Sequence, residues 1–221
     1  MSLRLDLSAV EAALENVERE WPRIDAELDR RGIGRKDLFS AFLRGNMVSA
    51  YGLLDDLAAR QMQPFSRNGI EHMLMLNNRV HYGSDEVLMA EFASAIEANA
   101  TKFRENIEPV VAWYEKHARR GDHPLKLAAE TYVAILGHPQ LFIEGNHRTG
   151  SLIASWINMD AGFPPFVLSV DNAIAYFGPS AEIKRFADKS TWRGRAKLPK
   201  YRKSFREFWE HHVEARYVIR T

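Results

Sequence analysis

Five consecutive residues, Glu144-Gly145-Asn146-His147-Arg148, place an acid, a residue without Cβ, an amide, an imidazole and a guanidinium side by side. The stretch around them, ILGHPQLFIEGNHRTGSLIASW from Ile135 to Trp156, reads as the end of one apolar helix, a short polar loop and the start of a second apolar helix. A glycine at position 145 lets backbone approach a ligand closely. A helix starting near Asn146 turns its unpaired N–H groups and the positive end of its dipole into the loop, which makes an anion site. Arg148 adds a planar fork of donors matched to phosphate. Glu144 can hold a divalent cation through oxygen, as Mg²⁺ at phosphates requires. Together with Thr149, the group Gly145, Asn146 and Arg148 forms a candidate cradle for a nucleotide or phosphoryl group. Glycine-asparagine before a helix is also a common turn and cap, so GNxR alone has a purely structural reading beside the functional one.

With Phe142 and the upstream His138-Pro139 added, the pattern FxEGNxRTG after an apolar helix resembles the Fic/Doc family, whose signature is HPFx(D/E)GNGRxxR at a helix–loop–helix. The resemblance covers roughly residues 107–177. It implies an all-α, Fic-like helical domain with a short β-hairpin flap for target docking, and transfer of a phosphate-containing group. That group is most often AMP, moved from Mg·ATP onto a protein hydroxyl. It also implies a buried Phe142, Glu144 as the metal-binding acid, Gly145-Asn146 as the anion-hole pair and Arg148 as the phosphate ligand.

The sequence departs from that signature at three places. Without gaps the family's catalytic histidine falls on Gln140, and the His-Pro pair lies two residues earlier. The second glycine of GNG is His147, and the final arginine is Ser151. A hydroxyl nucleophile needs a base that titrates near neutrality, and histidine suits this best. His138 is the first candidate, reaching over the loop if residues 139–141 bulge; its structural alternative is a cap at a helix end. His147 is the second, on the other side of the acid, with a surface histidine as its alternative. Gln140 can orient a nucleophile but takes no proton. The family's inhibitory pattern, (S/T)xxxE(G/N), is matched by Thr101 to Asn106 with Glu105, and loosely by Ser94 to Glu97. With Ser151 in place of the partner arginine, Glu105 and Glu97 read as helix-surface acids.

The flanking elements follow from apolar spacing. Ser8 and Glu11 form a capping-box pattern before a helix whose stripe is Val10, Leu14, Val17, Trp21, Ile24 and Leu28, with Pro22 expected to bend or split it near Trp21. Asp37 is expected to cap a second helix running to Leu57, divided near Gly45 or Gly52, and Ser66 or Asn68 a third reaching Tyr82. Between 83 and 106 alanine content predicts helix, against the hairpin that the resemblance implies. A helix follows over 107–119, then 124–137 into the loop and 146–161 out of it, ending before Gly162. Pro164-Pro165 enforces extended chain. Asp171 is expected to cap a short helix to Phe177, with another opening at Pro179. Residues 184–206 carry ten Lys or Arg against one acid, Asp188, interleaved with aromatics, before a helix over 201–216. Such a mixture suits phosphate contacts and stacking, or equally the surroundings of an anion-binding core.

The 221 residues have a net charge of +1 and no cysteine, which excludes disulfides, thiolate metal sites and a cysteine nucleophile. No 18-residue apolar run or signal-peptide core is present, giving an expectation of a cytoplasmic protein without a membrane partner. The expected organisation is an N-terminal helical extension over 1–65, a Fic-like core over 66–180 and a basic C-terminal helical segment over 181–221. The expected function is a nucleotidyltransferase using Mg²⁺ and ATP on a protein substrate, with self-association open to it. Two alternatives stand beside it: a degenerate Fic-like module that binds nucleotide or protein without turnover, and a helical nucleic-acid-binding protein, which the near-neutral charge disfavours.

Overall fold

The computed structural model describes residues 3–34 and 38–220. Among these, nine α-helices and one two-stranded sheet are present: β1 (Leu3–Leu5), α1 (Leu7–Arg30), α2 (Ala41–Ala59), α3 (Arg67–Tyr82), α4 (Glu86–Glu91), α5 (Ala93–Arg119), α6 (Pro124–Leu136), α7 (Asn146–Asp160), α8 (Ala173–Phe186), α9 (Trp192–His212) and β2 (Val218–Arg220). None of these helices is long and apolar enough to cross a membrane.

The centre is the antiparallel pair α6 and α7. Every residue of α6 from Leu127 to Leu136 and every residue of α7 from Thr149 to Met159 is buried. A helix that is apolar on all sides is a core helix, and here the remaining elements wrap the pair. α2 and α3 cover α7, α9 and α5 cover α6, and α1 lies across α2 and α8. Gly150 lets the central pair close up: a Cβ there would lie 3.2 Å from the ring of Tyr132 on α6. One continuous apolar core runs from Leu5 to Tyr217 and includes the whole predicted stripe of α1.

Several local expectations are corrected. Pro22, Pro109, Pro179 and Pro199 all sit inside helices without ending them. Proline costs a helix about 3 kcal/mol in its interior, but the buried residues on both sides of Pro22, Trp21 and Ile24, are held on one core face. For the same reason α2 continues through Gly45 and Gly52, and residues 173–186 form one helix instead of two. The C-terminal helix starts nine residues earlier than expected, at Trp192 instead of 201, with Thr191 accepting from the Gly194 N–H. α1 is capped by Asp6, whose carboxylate accepts from the Ala9 N–H at 2.9 Å, and α2 by Ser40; Asp37 lies outside the described residues. Residues 83–106 hold no strand. They form α4 and the first half of α5, so local alanine-rich propensity prevails over the hairpin flap.

The small sheet joins the two ends of the described chain, pairing Leu3 with Arg220, Arg4 with Ile219 and Leu5 with Val218 antiparallel. It is fastened to α2 by Asp55, which accepts from the Leu5 N–H at 2.7 Å and from Arg4 Nε at 2.9 Å.

Candidate active site

The loop between α6 and α7 is shaped by its own side chains. Asn146 closes a ring over it: its carboxamide oxygen accepts from the Phe142 N–H at 2.9 Å, and its amide donates to the Phe142 carbonyl at 2.8 Å. Phe142 is thereby turned inward, buried and stacked on Phe103 at 5.2 Å. A second clamp comes from a buried amide relay. Asn99 donates to Asn77 at 2.7 Å and accepts from the Ile143 N–H at 2.9 Å. Asn77 donates onward to the Glu144 carbonyl at 3.1 Å and to Thr149 Oγ1 at 2.9 Å. Gly145 carries φ +75°, and a Cβ there would stand 2.5 Å from His81 Nε2. Only glycine satisfies both conditions.

This geometry presents Glu144, Gly145, Asn146, His147 and Arg148 along one side of a cavity of about 960 Å³. Gln140 and Ser151 line it too. The first amides of α7 have no acceptor within the helix, so the helix end brings unpaired donors and the positive end of its dipole to the cavity lining. Three further cations come from two places: Arg31 after α1, and Lys184 with Arg185 on α8. The acids in the lining are Glu144 and Glu182. Apolar lining comes from α1, α2 and Phe39, with Leu14, Trp21, Leu43, Met47 and Tyr51, and also from Ile143, Phe166, Leu168, Phe177 and Phe186. A half-cationic, half-apolar cavity suits a ligand with a phosphate at one end and a flat apolar ring at the other.

Among the described residues no group of three or more His, Asp or Glu is arranged to hold a metal. Glu144 stands as a single carboxylate beside the helix end, and its charge together with burial raises the Tyr82 hydroxyl above its usual range, burial being the larger cause. One carboxylate cannot cage Mg²⁺, but it can share the ion with ligand phosphates, which is how Mg²⁺ is commonly bound.

The residues predicted from the sequence separate into two groups. Glu144, Gly145, Asn146, His147, Arg148 and Gln140 are brought together in the cavity lining. Thr149 is fully buried under the loop as an acceptor for Asn77, outside the lining. His138 is also outside it. Its side chain is 68% exposed and lies 3.5 Å from Asp188. Its backbone is stitched to the start of the basic segment, the N–H donating to Ala187 at 2.7 Å and the carbonyl accepting from Lys189 at 2.6 Å. A bulge of residues 139–141 does not carry it over the loop. Ser190 and then His138 hold the Asp188 carboxyl down to about 2. Glu97 and Glu105 lie on exposed turns of α5, away from the cavity, with Glu97 paired to Arg104.

His147 is different. Burial, then Lys184 and Arg148, push its imidazole down to about 3, so the ring is neutral near pH 7. Tyr132 and Tyr176 contact it, and Ser180 in turn contacts both tyrosines; no motif pointed to them, because α6 and α8 read as ordinary apolar helices. Lys184 and Arg185 had a signal, the basic stretch beside an anion-binding core.

No protein-family model matches the chain. Among curated proteins it is similar to the protein adenylyltransferase fic-1 of Caenorhabditis elegans, 34% identical over 74 residues. The match spans 33% of this chain and only 14% of that protein, and the Caenorhabditis briggsae protein of the same name matches to the same extent. Among solved structures, a Fic domain containing signaling protein from Bacteroides thetaiotaomicron superposes with a TM-score of 0.54 at 14% identity, over 95% of this chain and 87% of that one. The chain therefore has the all-α fold of that Fic domain structure, and its loop between α6 and α7 carries a motif that resembles the Fic/Doc signature.

Proposed function

We propose that this protein transfers a phosphate-containing group, most simply AMP from ATP, to a hydroxyl of a protein substrate. The observation that carries the reading is the cavity itself: α7 opens into it at Gly145, Arg148, Lys184 and Arg185 line it, and Glu144 stands beside that helix end. Developing charge on a transferred phosphoryl group is stabilised by donors fixed in advance, and rigid backbone amides and an arginine fork supply them without reorganisation. The apolar lining from α1 and α2 accommodates a base. Mg²⁺, held jointly by Glu144 and the phosphates, would neutralise charge on the phosphate oxygens. The adenylyltransferase similarity over 74 residues supports AMP as the group.

A second reading is favoured by one observation. Gln140, on which the family's histidine falls in the ungapped alignment, lines the cavity, and His138 lies outside it. On that reading the chain holds nucleotide without turning it over.

Incubating the protein and cell extract with Mg²⁺ and ATP labelled at the α or, separately, the γ phosphate distinguishes these. Label retained on protein only from the α position is the expected result. Retention only from γ would replace nucleotidyl by phosphoryl transfer, and retention from neither, with nucleotide bound, would establish the binding module.

A further inference from the structure

We propose that His147 is the proton acceptor of this site and that Tyr132 is its positioning residue, holding the ring in the tautomer that leaves Nε2 unprotonated toward the cavity. The inference rests on the group-transfer reading for its chemistry, but its geometric part stands alone.

The hydroxyl hydrogens around His147 are too few for their oxygens. The Tyr132 hydroxyl has three neighbours: Ser180 Oγ at 2.9 Å, Tyr176 Oη at 3.0 Å and His147 Nδ1 at 3.1 Å. Two of these have already committed their own hydrogens. The Ser180 hydroxyl donates to the Tyr176 carbonyl at 2.6 Å, and the Tyr176 hydroxyl donates to the His147 carbonyl at 3.0 Å. Both oxygens therefore face Tyr132 with lone pairs. Tyr132 has one hydrogen to give. If it went to His147, the Tyr132 oxygen would meet two oxygens at 3.0 Å or less with no hydrogen between them, in a buried site where such contacts are costly. When Tyr132 instead donates to Ser180 or Tyr176 and accepts from His147, only one such oxygen pair remains in place of two, so this is the favoured arrangement. Nδ1 then carries the proton and Nε2 keeps its lone pair.

The surroundings fix that arrangement. Tyr132 is fully buried, and its ring lies flat on Phe205, 4.1 Å away and 3° from parallel. Burial raises its hydroxyl pKa well above the usual value, so it does not ionise. Tyr176 fastens the backbone of the same histidine that Tyr132 fastens by its ring. His147 lines the cavity three residues beyond Glu144 and next to Arg148, on the side of the acid opposite to Gln140. The ring is neutral because burial, Lys184 and Arg148 disfavour its cation. A phosphate seated beside Arg148 counters that field and raises the basicity of Nε2 when substrate is present. In the transfer step the substrate oxygen forms a bond to the α phosphorus, the bond from that phosphorus to the β-bridging oxygen breaks, and the hydroxyl proton passes to Nε2. Pyrophosphate leaves with the electron pair.

The test uses the full chain labelled with ¹⁵N at histidine. Imidazole nitrogen shifts at pH 7 should show His147 as the Nδ1–H tautomer in the wild type, reverting toward Nε2–H in Tyr132→Phe. That variant keeps the stacked ring, and unchanged circular dichroism verifies its fold. A wild-type Nε2–H tautomer, or no change in Tyr132→Phe, overturns the positioning role. With labelled ATP, His147→Gln should lose about 10²–10⁴-fold in transfer rate while Mg·ATP affinity changes less than tenfold. Full activity in His147→Gln overturns the catalytic role, as does a wild type that binds Mg·ATP and transfers nothing. A wild type that binds no Mg·ATP refutes the nucleotide reading instead, and the tautomer result still decides the role of Tyr132.

Discussion

Gly145 meets two constraints at one atom: a left-handed backbone and a wall formed by His81 and Asn77 within 2.8 Å of where a Cβ would stand. Gly145→Ala must therefore open the loop or push His81 away. We expect a stability loss of about 1–3 kcal/mol, measured by denaturant unfolding, with a larger proportional loss of Mg·ATP binding. An alanine variant of unchanged stability and affinity would contradict the loop geometry. His138 belongs at this scale as well. Because it contacts Asp188 at the surface, His138→Ala should cost less than about 1 kcal/mol and leave nucleotide binding and label transfer at wild-type levels, whereas loss of transfer would return the base to the helix end. That Glu144 to Arg148 would gather at one helix start was legible in the sequence because a polar loop between two apolar helices is a local pattern. The roles of Asn146, Thr149 and His138 were not. Each depends on a partner distant in sequence or on a loop closure that spacing does not encode, such as the Asn99–Asn77 relay under Thr149.

Among the elements, α6 and α7 were readable from apolar period alone, since both helices are buried for most of their length. The helix through 93–119 was readable in part: alanine content predicted its first half, while Pro109 and a polar surface concealed its continuity. The β1–β2 pair was not readable at all. Two three-residue strands at opposite ends of the chain carry no periodic signal, and their place is set by Asp55. Burial raises that carboxyl, but the Arg4 and Leu5 hydrogen bonds outweigh it and hold it below its usual value. The stabilisation it contributes is thus complete above the unfolded pKa of about 3.9 and is lost as pH falls through the lower folded value. Asp55→Ala leaves the Leu5 N–H and the Arg4 guanidinium without their acceptor. We expect a destabilisation of about 2–3 kcal/mol near neutral pH, shrinking as the pH is lowered past 4. A pH-independent difference would mean that the carboxylate charge is not what fastens β1.

At the scale of the molecule, the cavity collects side chains from Leu14 to Phe186. Its charged side chains come mostly from the loop before α7 and from α8, its apolar ones from α1, α2, α8 and the chain after α7, and one core joins these elements. The sequence shows the charged loop as a motif and the apolar lining only as core stripes, because nothing in a stripe says which neighbours it leaves uncovered. The basic stretch divides in the same way: Lys184 and Arg185 face the cavity, while Arg202 turns to Glu130 at 3.6 Å and lies over Trp113. The central claim is that this cavity binds a nucleoside triphosphate through the start of α7. Titration calorimetry of Mg·ATP into the wild type and Arg148→Ala tests it most directly. The account predicts one site per chain in the wild type and a loss of about 1.5–3 kcal/mol in the variant, roughly a tenfold to hundredfold weaker Kd. No saturable binding by the wild type, or equal affinity in both proteins, would contradict it.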